Sequence, residues 1–502
     1  MSLLLGLDVG TTGARAIAVD EAGKVIASAA AEYPLLSPQP GWTEQDPADW
    51  WSGSRQVLGQ VAAEVGGDVA AIGLTGQMHG SVFLDEAGRV IRPALLWNDQ
   101  RTAAQCDVIT ERIGAERLIA ITGNPALTGF QAPKIVWLRD VEPVQYRHVR
   151  HVLLPKDYVR FRLSGDFATD VSDASGTLLL DVRRRDWSWQ ILAALEIPKE
   201  WLPRVYESPE ATGSLSPAVA AEIGVRPGIP IAAGGGDNAA AAIGTGIVER
   251  GRISSSIGTS GVLFAHADDL AIDPSGRLHA FCHAVPQEYH LMAVTLSAGA
   301  SLRWWRDILG GRMSYDDLSE LAASAPPGAD GLFFLPYLTG ERTPHLDPNA
   351  RGAFVGLRAH HSKAHLTRAV MEGVVFSLRD GLDIMRGLGV DVARARATGG
   401  GGRSAFWRQL QADIFNLPVE RTMADEGPAY GAALLGGVAA GIYKDVHEAA
   451  SQVRLADGLN EPDAELARRY ESIYATFKQL YPALHSREPA LAGSMTEMAE
   501  AG

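Results

Sequence analysis

The stretch LGLDVGTTGARAIAVD, residues 5–20, ends an apolar run with one carboxylate, Asp8, then turns through Gly10, Thr11, Thr12 and Gly13. A hairpin would use the two glycines for backbone freedom and leave Asp8 at its mouth. A phosphate cradle would use the same glycines to let main-chain N–H groups approach an anion. The threonine hydroxyls would add donors, and Asp8 would hold the accompanying metal ion. The four residues alone fit both readings, so the choice rests on the rest of the chain.

The chain has 502 residues, too many for one ordinary core, which predicts two large domains. It is 46% hydrophobic and 21% charged, enough apolar content to bury substantial cores. A net charge of −14 argues against nucleic acid or an anionic membrane as the main partner. Cys106 and Cys282 have no partner spacing, which predicts reduced thiols rather than a zinc site. The opening MSLLLGLDVG reaches Asp8 too early for a signal h-region, and Gly234–Asn238 interrupts the longest apolar run, around 229–248. A soluble cytoplasmic enzyme is the expectation.

Residues 3–30 read as strands joined by the glycine turn, with a second turn at Glu21–Lys24. Asp46 to Val65 has helical spacing, with Asp46 and Pro47 as N-cap and first helical residue. VAAIGLTGQMHG reads as a buried strand with a polar end, and SVFLDEAGRVI and ALLWNDQR as further strands. Ligands collect at such carboxyl ends in open α/β sheets. GRISSSIGTSGVLFAHADD, residues 251–269, repeats the opening pattern around Gly258, Thr259, Ser260 and Gly261, which points to a duplicated domain. Ser362–Leu388 predicts a long helix, ARATGGGGRSAFWRQLQADIF a strand, glycine turn and helix, and GPAYGAALLGGVAAGIY a tightly packed helix.

No G-x-x-x-x-G-K-[ST] run occurs, so a P-loop is excluded. Instead, glycine turns flanked by hydroxyls recur at 10–13, 258–261 and 399–402, a set suited to nucleotide phosphates. In GGGDNAAAAIGTG, residues 234–246, Asp237 stands before a small-residue helix. It is either an N-cap or a general base, which the helix dipole would keep ionised by lowering its pKa. Gln77, Met78 and His79 are either ordinary strand-end polar and apolar groups or the mixed lining of a polyol site. Asp99 and Arg101 fit a structural ion pair and a ligand contact equally.

Together GLDVGTTGARA, GLTGQMHG, ALLWNDQR, LLPKDYVRFRLSGD, SDASGTLLLDV, GGGDNAAAAIGTG and SIGTSG resemble the FGGY family of carbohydrate kinases, within the actin-like ATPase superfamily. GAFVGLRAHHSKAHLTRAVMEG, residues 352–373, is similar to that family's C-terminal fingerprint. The resemblance implies an α/β fold of two actin-like (ribonuclease H-like) ATPase domains with a catalytic cleft between them. Residues 1–247 would be the sugar-binding side, 248–485 the nucleotide-binding side, and 486–502 a disordered tail. It implies ATP and Mg²⁺ as cofactors, sugar and ATP as partners, and compatibility with a homodimer. By resemblance Asp237 is the general base, and Asp8 serves the metal and the phosphates. Thr11, Thr12, Gly258, Thr259 and Ser260 would line phosphate loops, and Gly400, Gly401 and Ser404 would border adenosine. Gln77, Met78, His79, Asp237 and Asn238 would hold the sugar. Other members carry Arg-Glu where this chain has Met78-His79, which favours a pentulose, D-xylulose first. Gln131, where Ser, Thr or Pro is usual, and Val141, in place of a polar residue, depart from the pattern beside the expected sugar loop.

Overall fold

The structure is a computed structural model that describes residues 2–423 and 427–485. The expected tail, 486–502, lies outside the described residues. Contacts divide the chain into two compact units: Met1–Arg250, His266–Leu291 and Glu426–Arg454 form one, and Gly251–Ala265, Met292–Asp425 and Leu455–Gly502 the other. A single boundary at residue 247 therefore captures only the first crossing of the chain. Two later segments rejoin the first unit.

In the first unit, β1 (Leu3–Val9), β2 (Gly13–Asp20) and β3 (Val25–Glu32) form an antiparallel meander. Helix α1 (Pro47–Val65) crosses over to β4 (Val69–Gly76), which pairs parallel to β1. Asp46 caps α1 by accepting from the Ala48 N–H at 2.9 Å, as expected, and Gly66 closes it with φ 75°. Trp50, Val57, Leu58 and Val61 recur at helical spacing and pack with Leu5, Leu7 and Val9 of β1 in one core. Beyond β4 come β5 (Ala211–Ser214) and β6 (Pro230–Ala232), and the two-residue β7 (Gly235–Gly236) also pairs with β4. Helices α2 (Pro155–Ser164), α3 (Val171–Ser175) and α4 (Asp237–Gly244) complete the part that matters below. The strands expected in SVFLDEAGRVI and ALLWNDQR shrink to Val82–Leu84 and Ala94–Leu95, because turns interrupt both stretches.

The second unit repeats the strand plan. β8 (Gly251–Ile257) and most of β9 (Gly261–Ala267) form an antiparallel hairpin about the second glycine turn. β8 then pairs parallel to β10 (Val392–Thr398), which pairs parallel to β11 (Val419–Glu420). The duplication expected from the two Gly-Thr-x-Gly turns is thus a topological one: hairpin first, then a parallel partner from later in the chain. Helix α5 (Gly299–Ile308) and the long α6 (Lys363–Gly387) follow in this unit, α6 starting after Ser362 as expected. The expected glycine turn after β10 is instead a short helix, α7 (Gly399–Arg403), leading into α8 (Ala405–Phe415). Helical geometry packs this glycine run on Ile257: a Cβ on Gly401 would lie 2.5 Å from the Ile257 Cβ.

Helix α9 (Gly427–Ala439) belongs to the first unit and explains why the chain returns there. It covers the sheet face opposite α1, with Ala429, Ala433 and Leu434 packed in a core with Leu4 and Ala71. A Cβ on Gly6 would lie 1.9 Å from the Ala429 carbonyl oxygen, and one on Gly73 1.7 Å from that of Ala432. Gly431 approaches α4 as closely, its Cβ position 1.7 Å from the Ala240 oxygen. Helix and sheet backbones touch because side chains are missing on both, so the small-residue composition of α9 is a packing requirement. Both cysteines are buried free thiols, and no described helix is long and apolar enough to cross a membrane.

Candidate active site

β1, β4 and β7 run parallel, and their carboxyl ends lie side by side. Asp8 of β1 is in register with Thr75 of β4, and so is Gly235 of β7. Asp8, Gln77 and Asp237 therefore leave one end of one sheet, where an open α/β sheet binds ligands.

Asp237 is the first residue of α4 and Gly236 occupies the cap position, so the N-cap alternative does not hold. Its Oδ1 accepts from the Asn238 main-chain N–H at 2.7 Å and from Asn238 Nδ2 at 2.9 Å. The expectation that the helix dipole lowers its pKa fails. Burial is the largest influence and outweighs the two Asn238 bonds, pushing the carboxyl up to about 6. A group with that value is still mainly ionised at pH 7 and is better matched to taking a proton than an ordinary aspartate.

Asp8 is pushed up further, to about 7, by burial and then by the charge of Asp237, with Arg15 opposing. Its Oδ1 is buried and has no hydrogen-bond partner among the described residues. An orphaned carboxylate oxygen beside a second carboxylate is a hard-donor arrangement that suits Mg²⁺, and a cation would relieve the repulsion that helps raise Asp8.

The turn after β1 is clamped by Tyr33 and Gln45, which sequence reasoning did not single out, and by Gln77, which it placed against the sugar. Tyr33 donates its hydroxyl to the Gly10 carbonyl at 2.6 Å, and Gln45 Nε2 donates to the Thr11 carbonyl at 2.6 Å. Gln77 Nε2 donates to Gln45 Oε1 at 3.0 Å and to the Gly10 carbonyl at 3.3 Å. The Thr11 hydroxyl donates to Gln77 Oε1 at 3.2 Å and accepts from Trp97 Nε1 at 2.9 Å. Gln77 is thus 2% exposed and supports the loop from within. Thr11 uses its hydroxyl inside the fold, whereas Thr12 is exposed.

Met78 and His79 lie beside the base strand. A Cβ on Gly236 would meet Met78 Cγ and Sδ at 2.9 Å, and one on Gly176 would meet His79 Nδ1 at 2.8 Å. His79 has φ 69°, a left-handed backbone that a non-glycine residue adopts only under external constraint. The constraint is visible: Lys134 Nζ donates to the His79 carbonyl at 3.0 Å, and Phe130 meets the His79 ring edge-on at 4.8 Å. His79 Nδ1 lies 2.5 Å from the Gly176 carbonyl oxygen. A carbonyl only accepts, so Nδ1 carries a proton, and when the ring is neutral Nε2 is its acceptor nitrogen. Buried Lys134 has its ammonium pulled down to about 7 by burial, against the charge of Asp99.

The departure at Gln131 is internal: it is 1% exposed, and its Nε2 donates to the Gly80 and Leu153 carbonyls at 3.0 and 3.2 Å. It braces the loop that carries His79 from behind. Val141 is exposed. Asp99 and Arg101 form a buried ion pair at 2.7 Å, with Arg101 stacked on Trp42, so the structural alternative holds for them.

The second unit contains a cavity of about 610 Å³ lined by Gly258, Thr259, Gly299, Ala300, Arg303, Tyr315, Gly400, Gly401, Ser404 and Trp407, among others. That volume suits a nucleotide-sized ligand. Of the residues expected here, Ser260 does not line it; its carbonyl accepts from the Gly258 N–H at 3.0 Å and closes the turn. Ser404 caps α8, accepting from the Trp407 N–H at 3.2 Å. Arg303 and Tyr315 were missed in sequence, because nothing in their local pattern separates them from ordinary surface residues.

The model of the FGGY family of carbohydrate kinases, N-terminal domain, matches residues 3–244, and that of the C-terminal domain matches residues 253–440. The xylulose kinase of Escherichia coli (strain K12) is 42% identical over 484 residues, 96% of this chain and 99% of that protein. That of Lactococcus lactis is 40% identical over 96% of this chain and 97% of its own length. Among solved structures, a xyloylose kinase from Brucella ovis superposes with a TM-score of 0.92 at 40% identity, covering 96% of this chain and 99% of that one. A gluconate kinase from Lactobacillus acidophilus gives the same TM-score at 28% identity over 96% and 98% of the two chains. The chain belongs to the FGGY family of carbohydrate kinases, phosphotransferases with an alcohol acceptor.

Proposed function

We propose that this kinase transfers the terminal phosphoryl group of ATP to the C5 hydroxyl of D-xylulose, giving D-xylulose 5-phosphate. One observation carries the reading: two carboxylates with raised pKa values, Asp8 and Asp237, leave one sheet end beside Met78 and His79. Asn238 holds Asp237 Oδ1, so Oδ2 is the oxygen for the sugar hydroxyl, and Asp237 takes its proton as the bond to phosphorus forms. A loose phosphoryl-transfer transition state asks little of the base early, so a carboxylate of pKa about 6 suffices. His79, held by Gly176, presents its acceptor nitrogen to a sugar hydroxyl, and Met78 supplies the apolar edge. Neutral groups suit an uncharged ketose, and this is why D-xylulose is preferred to an acid such as gluconate.

Asp8 would hold Mg²⁺, which when bound would neutralise charge on the phosphates. In the first unit the main-chain amides of Thr11 and Thr12 would bind phosphate oxygens, and in the second unit that of Thr259 would, the Gly10 and Gly258 amides being used to close their own turns. Gly400, Gly401 and Ser404 would border the adenosine, with Tyr315 and Arg303 as further walls of that cavity.

The test is a mixture of pentuloses, pentitols and gluconate incubated with Mg-ATP, with products read by mass spectrometry. D-xylulose 5-phosphate as the dominant product is expected. A dominant phosphorylated polyol or aldonate would overturn the substrate, and ATP consumption without any sugar phosphate would overturn the reaction.

A further inference from the structure

The catalytic reading uses Asp237 but leaves unexplained a fully buried charge cluster behind it. Lys156 Nζ lies 2.6 Å from Asp157, 2.9 Å from Asp170 and 3.4 Å from Asp173, and all four side chains are 0% exposed. Burial works against the Lys156 ammonium, but the three carboxylates outweigh it and keep it charged. Isolating so many charges from water is costly unless the arrangement specifies something else.

What it specifies is one backbone position. Asp170 caps α3, its Oδ2 accepting from the Ser172 N–H at 2.8 Å and from the Ser172 hydroxyl at 2.5 Å. The Ser172 hydroxyl, its own proton so committed, turns a lone pair outward and accepts the Gly236 N–H at 3.1 Å. That bond joins residues 64 apart in sequence and plays no part in the helix cap. Gly236 immediately precedes Asp237 and lies close against Met78, where an added Cβ would sit 2.9 Å from the sulfur. At the other end of the same short segment, the Gly176 carbonyl holds His79 Nδ1. One segment, Asp170–Gly176, therefore sets both the base strand and the ring beside it.

We propose that Ser172 is a positioning residue for phosphoryl transfer: anchored through Asp170 to Lys156, its hydroxyl fixes Gly236 and so the carboxylate of Asp237. The inference rests on the reading of Asp237 as the base. Its effect should fall on turnover, because a displaced base costs rate while substrates still bind.

The experiment compares Ser172→Ala, Ser172→Cys and Ser172→Thr with the wild-type full chain, measuring kcat and KM for D-xylulose, KM for ATP and thermal unfolding. Ser172→Ala is expected to lower kcat about 10- to 100-fold, with KM for ATP within about twofold. Ser172→Cys, nearly isosteric but a poor acceptor, should fall with it and serves if the alanine variant does not accumulate. Ser172→Thr, which keeps the hydroxyl, should recover most of the loss. A kcat within about twofold of wild type in Ala and Cys, or a Thr variant as impaired as Ala, overturns the inference. Asp237→Asn is measured alongside. If it turns over like wild type, the reading of Asp237 fails, whereas a dead Asp237→Asn with an unaffected Ser172→Ala sinks only the positioning role.

Discussion

Asp8 and Asp237 stand at the carboxyl end of the parallel strands of one mixed sheet, and Thr75 of the central strand is in register both with Asp8 and with Gly235, two residues before Asp237. Their proximity is electrostatic as well as topological, since the charge of Asp237 raises the Asp8 carboxyl. A kinase built on such a pair should reveal it in rate, pH dependence, metal affinity and stability.

Replacing Asp237 by Ala removes the proposed base and leaves the cavity of the second unit untouched. Turnover with D-xylulose should fall by about 10²–10⁴-fold, while ATP affinity by fluorescence titration changes less than about twofold. Near wild-type turnover would remove Asp237 from the mechanism.

The value of about 6 for Asp237 predicts the acid limb of the pH profile. The base acts ionised, so kcat/KM for the sugar should rise with pH and level off above about 6. A limb near 4, the ordinary aspartate range, would mean that burial does not control this group.

Asp8 binds a proton more tightly than an ordinary aspartate, and a metal must displace that proton. Mg²⁺ affinity, measured by calorimetry on the wild-type chain, should strengthen by up to about tenfold per pH unit below 7 and level off above it. Asp8→Asn should abolish both the binding and its pH dependence.

The same shift has a consequence for folding. Asp8 carries a proton more readily folded, at about 7, than unfolded, at 3.8. Its contribution is therefore favourable below about 4 and lost progressively as pH rises to about 7. Asp8→Asn removes the ionised form, so without metal this variant should melt about 2–4 °C above wild type at pH 8 and show no such gain at pH 4. Equal melting temperatures at pH 8 would contradict the burial of this charge.

Gly73 faces α9, and a Cβ there would sit 1.7 Å from the Ala432 carbonyl oxygen. Gly73→Ala should destabilise the chain by about 3 kcal/mol or more, seen as loss of soluble protein or a large drop in denaturation midpoint. Gly66→Ala is the control: its Cβ has nothing within 4 Å, although its φ of 75° carries a smaller strain cost.

Much of this was legible in the chain itself. Apolar runs ending in Asp8, Gln77 and Asp237, the paired Gly-Thr-x-Gly turns and the α1 cap at Asp46 follow from short-range periodicity and backbone freedom, which act within a few residues. The small-residue run of α9 announced close packing for the same reason. What neighbours in sequence could not fix were effects summed over distant groups. The pKa of Asp237 was expected to fall with the helix dipole, yet burial by the surrounding fold raises it. The Thr11 hydroxyl looked available, yet Gln77 and Trp97 occupy it. Lys156 and Ser172 fall within stretches that carry the family resemblance, yet like Tyr33 they show no individual role in sequence, because their meaning lies in bonds to residues far along the chain. Sequence nominated the groups proposed to do the chemistry, since residue type and spacing are local properties. Only the folded chain determined how acidic, how occupied and how firmly held those groups are, since burial and long-range hydrogen bonds exist only after folding.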